Sequence, residues 1–330
     1  MKPFIGYNRG VNLGGWLSQC NHTKERYDTF ITEKDFSNIA SRKFDHVRIP
    51  VDYELFENED KSFKEEGFKY IDFAVEMCRK YNLNMILDLH RTPGFSFDPF
   101  HGERGFFDDE ELQSHFYTIW EKLAEKYASN SDMLTFELLN EVTAKEYSDT
   151  WNKISVECIR RIRLISTDIR IIIGGYYNNS LWAVPDLPII DDENIIYTFH
   201  CYEPLIFTHQ GAYWIKSMDT NFRCHFDITF EELDNLSQKY LCQAYAPFDL
   251  YDRNAYVDDN YFEVLLEKAI QTAEERNVPL YCGEYGVIDL ADRNDAKKWF
   301  DIFHRVMDKH KIGRSVWNYK EMDFEISSDF

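Results

Sequence analysis

The sequence is poor in positive charge. Its 330 residues carry 37 Lys and Arg against 58 Asp and Glu, a formal net charge of −21, so it offers no basic patch of the kind that nucleic acid or an anionic membrane requires. A neutral or cationic partner suits it better. Cysteine is scarce and scattered: seven residues (Cys20, Cys78, Cys158, Cys201, Cys224, Cys242, Cys282) never fall as CxxC. That leaves neither a disulfide framework nor a zinc cage and predicts reduced thiols. No stretch approaches the roughly 20 apolar residues of a membrane span, and MKPFIGYNRGVNLGG lacks the apolar core of a signal peptide. As written, the chain is expected in the cytoplasm, or outside the cell if a leader preceded it, and as a monomer. A dinucleotide-type GxGxxG turn is also missing, because the glycines of GVNLGGW have the wrong spacing and no helical pattern starts there.

Aromatic residues, by contrast, are plentiful: 26 Phe, 21 Tyr and 7 Trp make up 16% of the chain. That is more than an aliphatic core needs, and surplus Tyr and Trp suit flat apolar partners or sugar rings. Hydrophobic periodicity gives eight short strand-like runs: GVNL at Val11, HVRIP to Pro50, NMILDLH to His90, MLTFELLNE to Glu141, IRIIIGG to Gly175, NIIYTFHCY to Tyr202, PLYCGEYG to Gly286 and GRSVWNY to Tyr319. Helical patterns alternate with them, over about 70–82, 110–127, 147–164, 261–276 and 294–310. This predicts an α/β fold, a (β/α)8 TIM barrel occupying 1–330 as one catalytic domain. The segment 203–259 after the sixth strand is too long for an ordinary βα loop. It is expected to be an inserted small subdomain over the cleft, with a helix near 231–240. No eighth helix is evident after Trp317.

In such a barrel, functional groups sit at the C-terminal ends of strands. Those ends read Asn12, Arg48, Asp88 and His90, Asn140 and Glu141, His200 and Tyr202, Glu284, and Trp317. Polar groups at the ends of apolar strands are costly to bury without partners, so convergence on one site is the economical reading. Glu141 and Glu284 end strands four and seven, nearly opposite in a ring of eight, where two carboxylates can flank a scissile glycosidic bond.

These residues resemble the eight-residue pattern of glycoside hydrolase family 5: Arg48 in HVRIP, His90 in LDLH, Asn140-Glu141 in LLNEV, His200 and Tyr202 in TFHCY, Glu284 in CGEYG and Trp317 in SVWNY. The likeness runs from Val11 to Glu325. NLGGW, TFITEKD, FELLN, YCGE, WNYK and MDFEI are most similar to clostridial endoglucanases of the cellulase C type, while RGVNLGGWL and VRIPV also resemble fungal exo-1,3-glucanases. The resemblance implies a retaining endo-β-1,4-glucanase that needs no metal or cofactor, with β-1,4-mannan or glucomannan and β-1,3-glucan as alternative substrates. Glu141 is then the general acid/base and Glu284 the nucleophile. Arg48, His90, Asn140, His200, Tyr202, Trp317, Asn12 and Trp16 serve the substrate site, Asn140 by donating to the sugar 2-hydroxyl and Trp317 as the platform under the cleaved sugar. Arg91 departs from the family pattern, which has a second histidine or an asparagine after His90. Tyr53, Phe95, Phe97, Tyr176, Tyr177, Trp182, Trp214 and Tyr285 are candidates for outer sugar platforms, whereas Trp120, Trp151 and Trp299 fall in helix patterns and are expected in the core.

Two rivals are weaker. A metal-dependent barrel hydrolase could use His90, His200, Glu141 and Glu284 as ligands, but there is no HxH grouping, and Arg48 is an odd neighbour for a cation. A non-catalytic carbohydrate-binding barrel typically lacks one of the two carboxylates, and this chain has both.

Overall fold

The computed structural model of the protein describes residues 1–98, 101–241, 248 and 250–326. Eight parallel strands follow one another around a closed barrel: β1 (Arg9–Asn12), β2 (His46–Asp52), β3 (Asn84–Arg91), β4 (Leu134–Glu137), β5 (Arg170–Ile173), β6 (Ile195–Cys201), β7 (Leu280–Tyr285) and β8 (Gly313–Val316). The ring closes where Val11 of β1 pairs with Val316 of β8.

Alternation along each strand sorts its side chains between two environments. Val47, Ile49 and Val51, like Met85, Leu87 and Leu89, join the apolar layer between sheet and helices. The other parity faces the lumen. At the N-terminal end of the barrel, Ile86, Ile172, Ile196 and Tyr281 pack with Phe4 and Tyr7, and the Tyr7 hydroxyl donates to the Met133 carbonyl at 2.7 Å. Further along the same inward rows come Arg48, Asp88, His90, Glu137 and His200, all buried. The lumen is therefore an apolar plug below and a polar floor above.

Helices α1 (Lys24–Thr29) and α2 (Glu33–Ser41) follow β1, α3 (Glu65–Tyr81) follows β2, α4 (Glu110–Tyr127) follows β3 and α5 (Ser148–Ile165) follows β4. Their ends obey local chemistry. α3 stops at Asn82, a left-handed residue (φ 54°) whose N–H returns to the Cys78 and Arg79 carbonyls, with Arg79 and Lys80 against the negative helix end. After β5 there is only the one-turn α6 (Tyr176–Asn179) and a 3₁₀ segment, Leu181–Asp186, that contains Pro185. After β6 come α7 (Leu205–Thr208), α8 (Phe230–Tyr240) and α9 (Asp259–Glu275), and α10 (Arg293–His310) follows β7. Trp120, Trp151 and Trp299 are buried, as expected.

After β8, where the described residues form no helix, the chain doubles back over the start of the sheet. Gly14 N–H donates to Asn318 Oδ1 at 2.9 Å, Asn318 Nδ2 donates to the Gly14 carbonyl at 3.0 Å, and Tyr319 N–H reaches the Asn12 carbonyl at 3.0 Å. Within 203–259, α8 starts on a Thr229/Glu232 capping box. Phe207, Phe222, Phe226, Phe230, Leu233 and Phe248 belong to the same apolar cluster as the outer layer of the barrel. Residues 242–247 and 249 of this segment, Cys242 among them, lie outside the described residues. The six described cysteines are free. Among the described residues no helix is long and apolar enough to cross a membrane.

Candidate active site

Arg48, projecting from β2 into the lumen, organises the polar floor. Its Nη1 lies 2.8 Å from Glu284 Oε1 and 2.9 Å from Asn12 Oδ1. Nε and Nη2 form a forked pair with Glu137 at 2.7 and 3.0 Å, and Nη2 also meets Asn140 Oδ1 and Asp88 Oδ2, each at 3.0 Å. Burial opposes the guanidinium charge, but Asp88, Glu137 and Glu284 more than offset it and raise its pKa further. Asp88 is itself pushed up to about 7 by burial, against the pull of Arg48.

Glu284 receives a second donor, the Tyr202 hydroxyl, 2.9 Å from Oε2. Glu141 stands across the mouth, reached by three residues that leave β4 after the strand ladder ends at Glu137. Its own backbone is left-handed, with φ 46°. Its Oε1 is 2.8 Å from His200 Nδ1, and its Oε2 accepts from Asn178 Nδ2 at 3.1 Å. Burial raises the proton affinity of Glu141, while the Asn178 hydrogen bond and the Arg48 charge oppose it. His200 Nδ1 also lies 3.6 Å from Glu284 Oε2, and one oxygen of Glu141 and one of Glu284 are within 4.8 Å of each other. That spacing fits carboxylate pairs about 5 Å apart, which attack and protonate the same bond, and is shorter than the roughly 6.5–9.5 Å that leaves room for an intervening water.

Burial drives both site histidines down to about 4, so the imidazoles are neutral near neutral pH. His90 Nδ1 is 2.5 Å from Asp88 Oδ2, and its ring lies parallel to Trp317 with centroids 6.0 Å apart. Trp317, 7% exposed, rests on Ala212, Ile288 and Phe324 with Tyr202 and Trp214 beside it. Gly14 makes room for the indole: a Cβ there would fall 2.5 Å from Trp317 Cη2.

Arg48, His90, Asn140, Glu141, His200, Tyr202, Glu284 and Trp317 are thus gathered at one mouth. Two expectations require correction. Trp16 is no sugar platform: it is fully buried, its indole N–H donates to the Tyr27 carbonyl at 2.9 Å, and its ring makes T-shaped contacts with Phe36 and Phe73. Asn12 is fully buried too, its amide donating to the Gly283 and Ser315 carbonyls at 3.1 Å while its oxygen meets Arg48, so it ties strands together. Arg48, equally buried, reaches sugar only through the groups it holds. Arg91 spends its length on acids, 2.7 Å from Glu54 and 2.6 Å from Glu103. Of the outer aromatics, Phe95, Tyr176 and Tyr285 are packed away, whereas Tyr177 and Trp182 are exposed.

Sequence reasoning missed Glu137 and Asn178 and gave Asp88 no role. Asp88 and Glu137 could have been found as acids inside apolar strands on the inward parity, Asp88 two residues before His90. Asn178 carried no such signal. Two groups among the described residues bring three possible metal-ligand atoms together, Glu141/His200/Glu284 and His22/Asp52/Glu54. Each already holds an arginine ion pair, Arg48 with Glu284 and Arg91 with Glu54, so a guanidinium supplies the positive charge a cation would bring.

A barrel whose mouth sets two glutamates against each other beside a tryptophan face defines a glycoside hydrolase. The comparisons with known proteins agree: residues 8–323 match the family model Cellulase (glycosyl hydrolase family 5), and the chain belongs to that family. It is 43% identical to cellodextrinase A of Ruminococcus flavefaciens over 94% of this chain and 84% of the relative. It is 40% identical to endoglucanase C of Acetivibrio thermocellus over 98% of this chain and 94% of the relative. In fold it matches endoglucanase Cel5A of Thermotoga maritima with a TM-score of 0.78 and 24% identity, over 100% of this chain and 96% of that one.

Proposed function

We propose that the protein is an endo-β-1,4-glucanase that cleaves with retention, with Glu284 as nucleophile and Glu141 as general acid and then base. The observation that carries this reading is the approach of Glu141 and Glu284 oxygens to within 4.8 Å in opposed environments, Glu284 against Arg48 and Tyr202 and Glu141 against the neutral His200. In the first step Glu141 gives its proton to the glycosidic oxygen as the C1–O bond breaks, and Glu284 bonds to C1. In the second, Glu141 takes a proton from water as that water displaces Glu284. Asn140, anchored by Arg48, faces the sugar 2-hydroxyl, and Trp317 underlies the ring.

The test is reducing-sugar release from carboxymethylcellulose, glucomannan, mannan and laminarin side by side, with Glu284→Gln as control. Preference for the 1,4-linked glucan substrates, lost in Glu284→Gln, is the expected result. Release from laminarin or mannan alone overturns the linkage, and equal release by the variant overturns the nucleophile. Because one relative is a cellodextrinase and another an endoglucanase, soluble cellodextrins belong in the same assay to rank short chains against polymer.

A further inference from the structure

The turn after β5 carries three consecutive non-glycine residues in the left-handed region: Tyr177 (φ 51°), Asn178 (φ 58°) and Asn179 (φ 53°). L residues disfavour this backbone, asparagine least, and it persists where the surroundings hold it. Here it aims two amides at the catalytic groups. Asn178 N–H is fixed to the Val142 carbonyl at 3.0 Å, next to Glu141 in the chain, and its side-chain Nδ2 sits 3.1 Å from Glu141 Oε2. The buried Asn179 amide lies 3.4 Å from His200 Nε2, behind the ring whose Nδ1 contacts Glu141 Oε1.

Glu141 is also faced by His90 and Asp88 of β3, Arg48 of β2, His200 of β6, Tyr202 just beyond it and Glu284 of β7. Each of these belongs to the polar floor and is buried or half-buried. Asn178 is different: it is exposed and belongs to no strand. Its amide N–H can only donate, and donation to a carboxylate is stronger than donation to the neutral acid.

We propose that Asn178 is a positioning residue for the hydrolytic reaction, holding the Glu141 carboxyl in place and favouring its carboxylate form, so that one group serves as acid in the first step and base in the second. This rests on the reading of Glu141 as acid/base. When Glu141 releases its proton to the departing oxygen, the Asn178 hydrogen bond tightens on the carboxylate left behind. That carboxylate then takes a proton from the attacking water as the water oxygen bonds to C1 and the C1–Glu284 bond breaks.

Two variants test it. Asn178→Gly suits the left-handed backbone and removes the amide, while Asn178→Asp keeps the shape and replaces the donor by an acceptor. Both are expected to raise the proton affinity of Glu141, by roughly tenfold in Asn178→Gly and more in Asn178→Asp. The alkaline limb of kcat/KM on cellodextrins then moves up by about one pH unit in Asn178→Gly. On dinitrophenyl cellobioside, whose leaving group needs no proton, the acid limb of kcat reads the base step and moves up as well. A structural role alone lowers rates without moving either limb, and limbs that stay in place or move down in both variants overturn the proposal. Glu141→Gln separates the two levels. If its residual cellodextrin activity keeps the alkaline limb, the acid/base reading fails and takes the role of Asn178 with it. If that limb disappears in Glu141→Gln yet does not move in the Asn178 variants, only the role of Asn178 fails.

Discussion

Arg48 meets Glu284 at 2.8 Å with its guanidinium wholly buried, so the proposed nucleophile faces a cation that water does not screen. The same guanidinium is held by Glu137 and Asp88 on its other edges, which fixes its orientation. A single buried cation shared among three carboxylates makes floor and active site one electrostatic unit, and disturbing it affects folding as well as chemistry.

Removing the cation tests that unity. Arg48→Ala leaves Asp88, Glu137 and Glu284 buried without their partner, and a loss of roughly 3–5 kcal/mol is expected at pH 7. The loss shrinks toward pH 5. Asp88 already holds its proton to about pH 7 when folded, and without Arg48 its folded value rises further above the unfolded one. Protonation below that value therefore favours the folded state, and stability falls as pH rises through it. Denaturant midpoints at pH 5 and pH 7 measure the difference; a penalty that grows on acidification contradicts it.

The two glutamates separate by leaving group. Glu284→Gln is expected to lose at least about 1000-fold in kcat on every substrate, because no glycosyl-enzyme forms. Glu141→Ala loses about 100- to 10,000-fold on cellodextrins but still releases dinitrophenol from an activated cellobioside in a burst. Added azide, which needs no base, then speeds turnover and yields the β-glycosyl azide. An α-azide product argues against retention.

The site histidines stay neutral. With folded values near 4 for His90 and His200, ring-nitrogen NMR shifts at pH 5.5 should report neutral imidazoles, and His90 should carry its proton on Nδ1 toward Asp88. Between about 4 and the ordinary 6.5 the unfolded chain binds protons that these rings refuse, so each ring contributes stability above 6.5 that is lost as pH falls through that window. An imidazolium signal from His200 at pH 5.5 rules this out.

The two tryptophans divide stability from binding. Trp16→Ala is expected to cost about 3–5 kcal/mol in stability with KM of the folded protein unchanged. Gly14→Ala, pressing on the Trp317 ring, should lower kcat/KM by about tenfold or more with a smaller stability change. Thermal melts paired with kinetics on cellohexaose decide, and a raised KM in folded Trp16→Ala restores that residue to the cleft.

Much of this was legible in the linear chain. Short β-branched apolar runs broken by helical patterns give eight strands and a barrel, because a strand buried on both faces must be apolar nearly throughout. The residues at the ends of seven of these runs, all but the fifth, then stand out, which is why Arg48, His90, Asn140, Glu141, His200, Tyr202, Glu284 and Trp317 were found. Trp16 was misplaced because a tryptophan following a strand looks the same whether it faces sugar or Phe36; only the packing of α2 and α3 against it decides.

The sequence by itself determined the strand order and the chemistry at the strand ends, since both follow from local alternation and residue type. Tertiary structure alone decided how those groups are partnered. The fork of Glu137 on Arg48, the sharing of His200 between Glu141 and Glu284, and the amide of Asn178 on Glu141 join residues 37 to 89 positions apart. They depend on barrel closure and on a left-handed turn whose conformation its neighbours impose, and differences of an ångström in the spacing of such groups leave no trace in the order of residues along the chain.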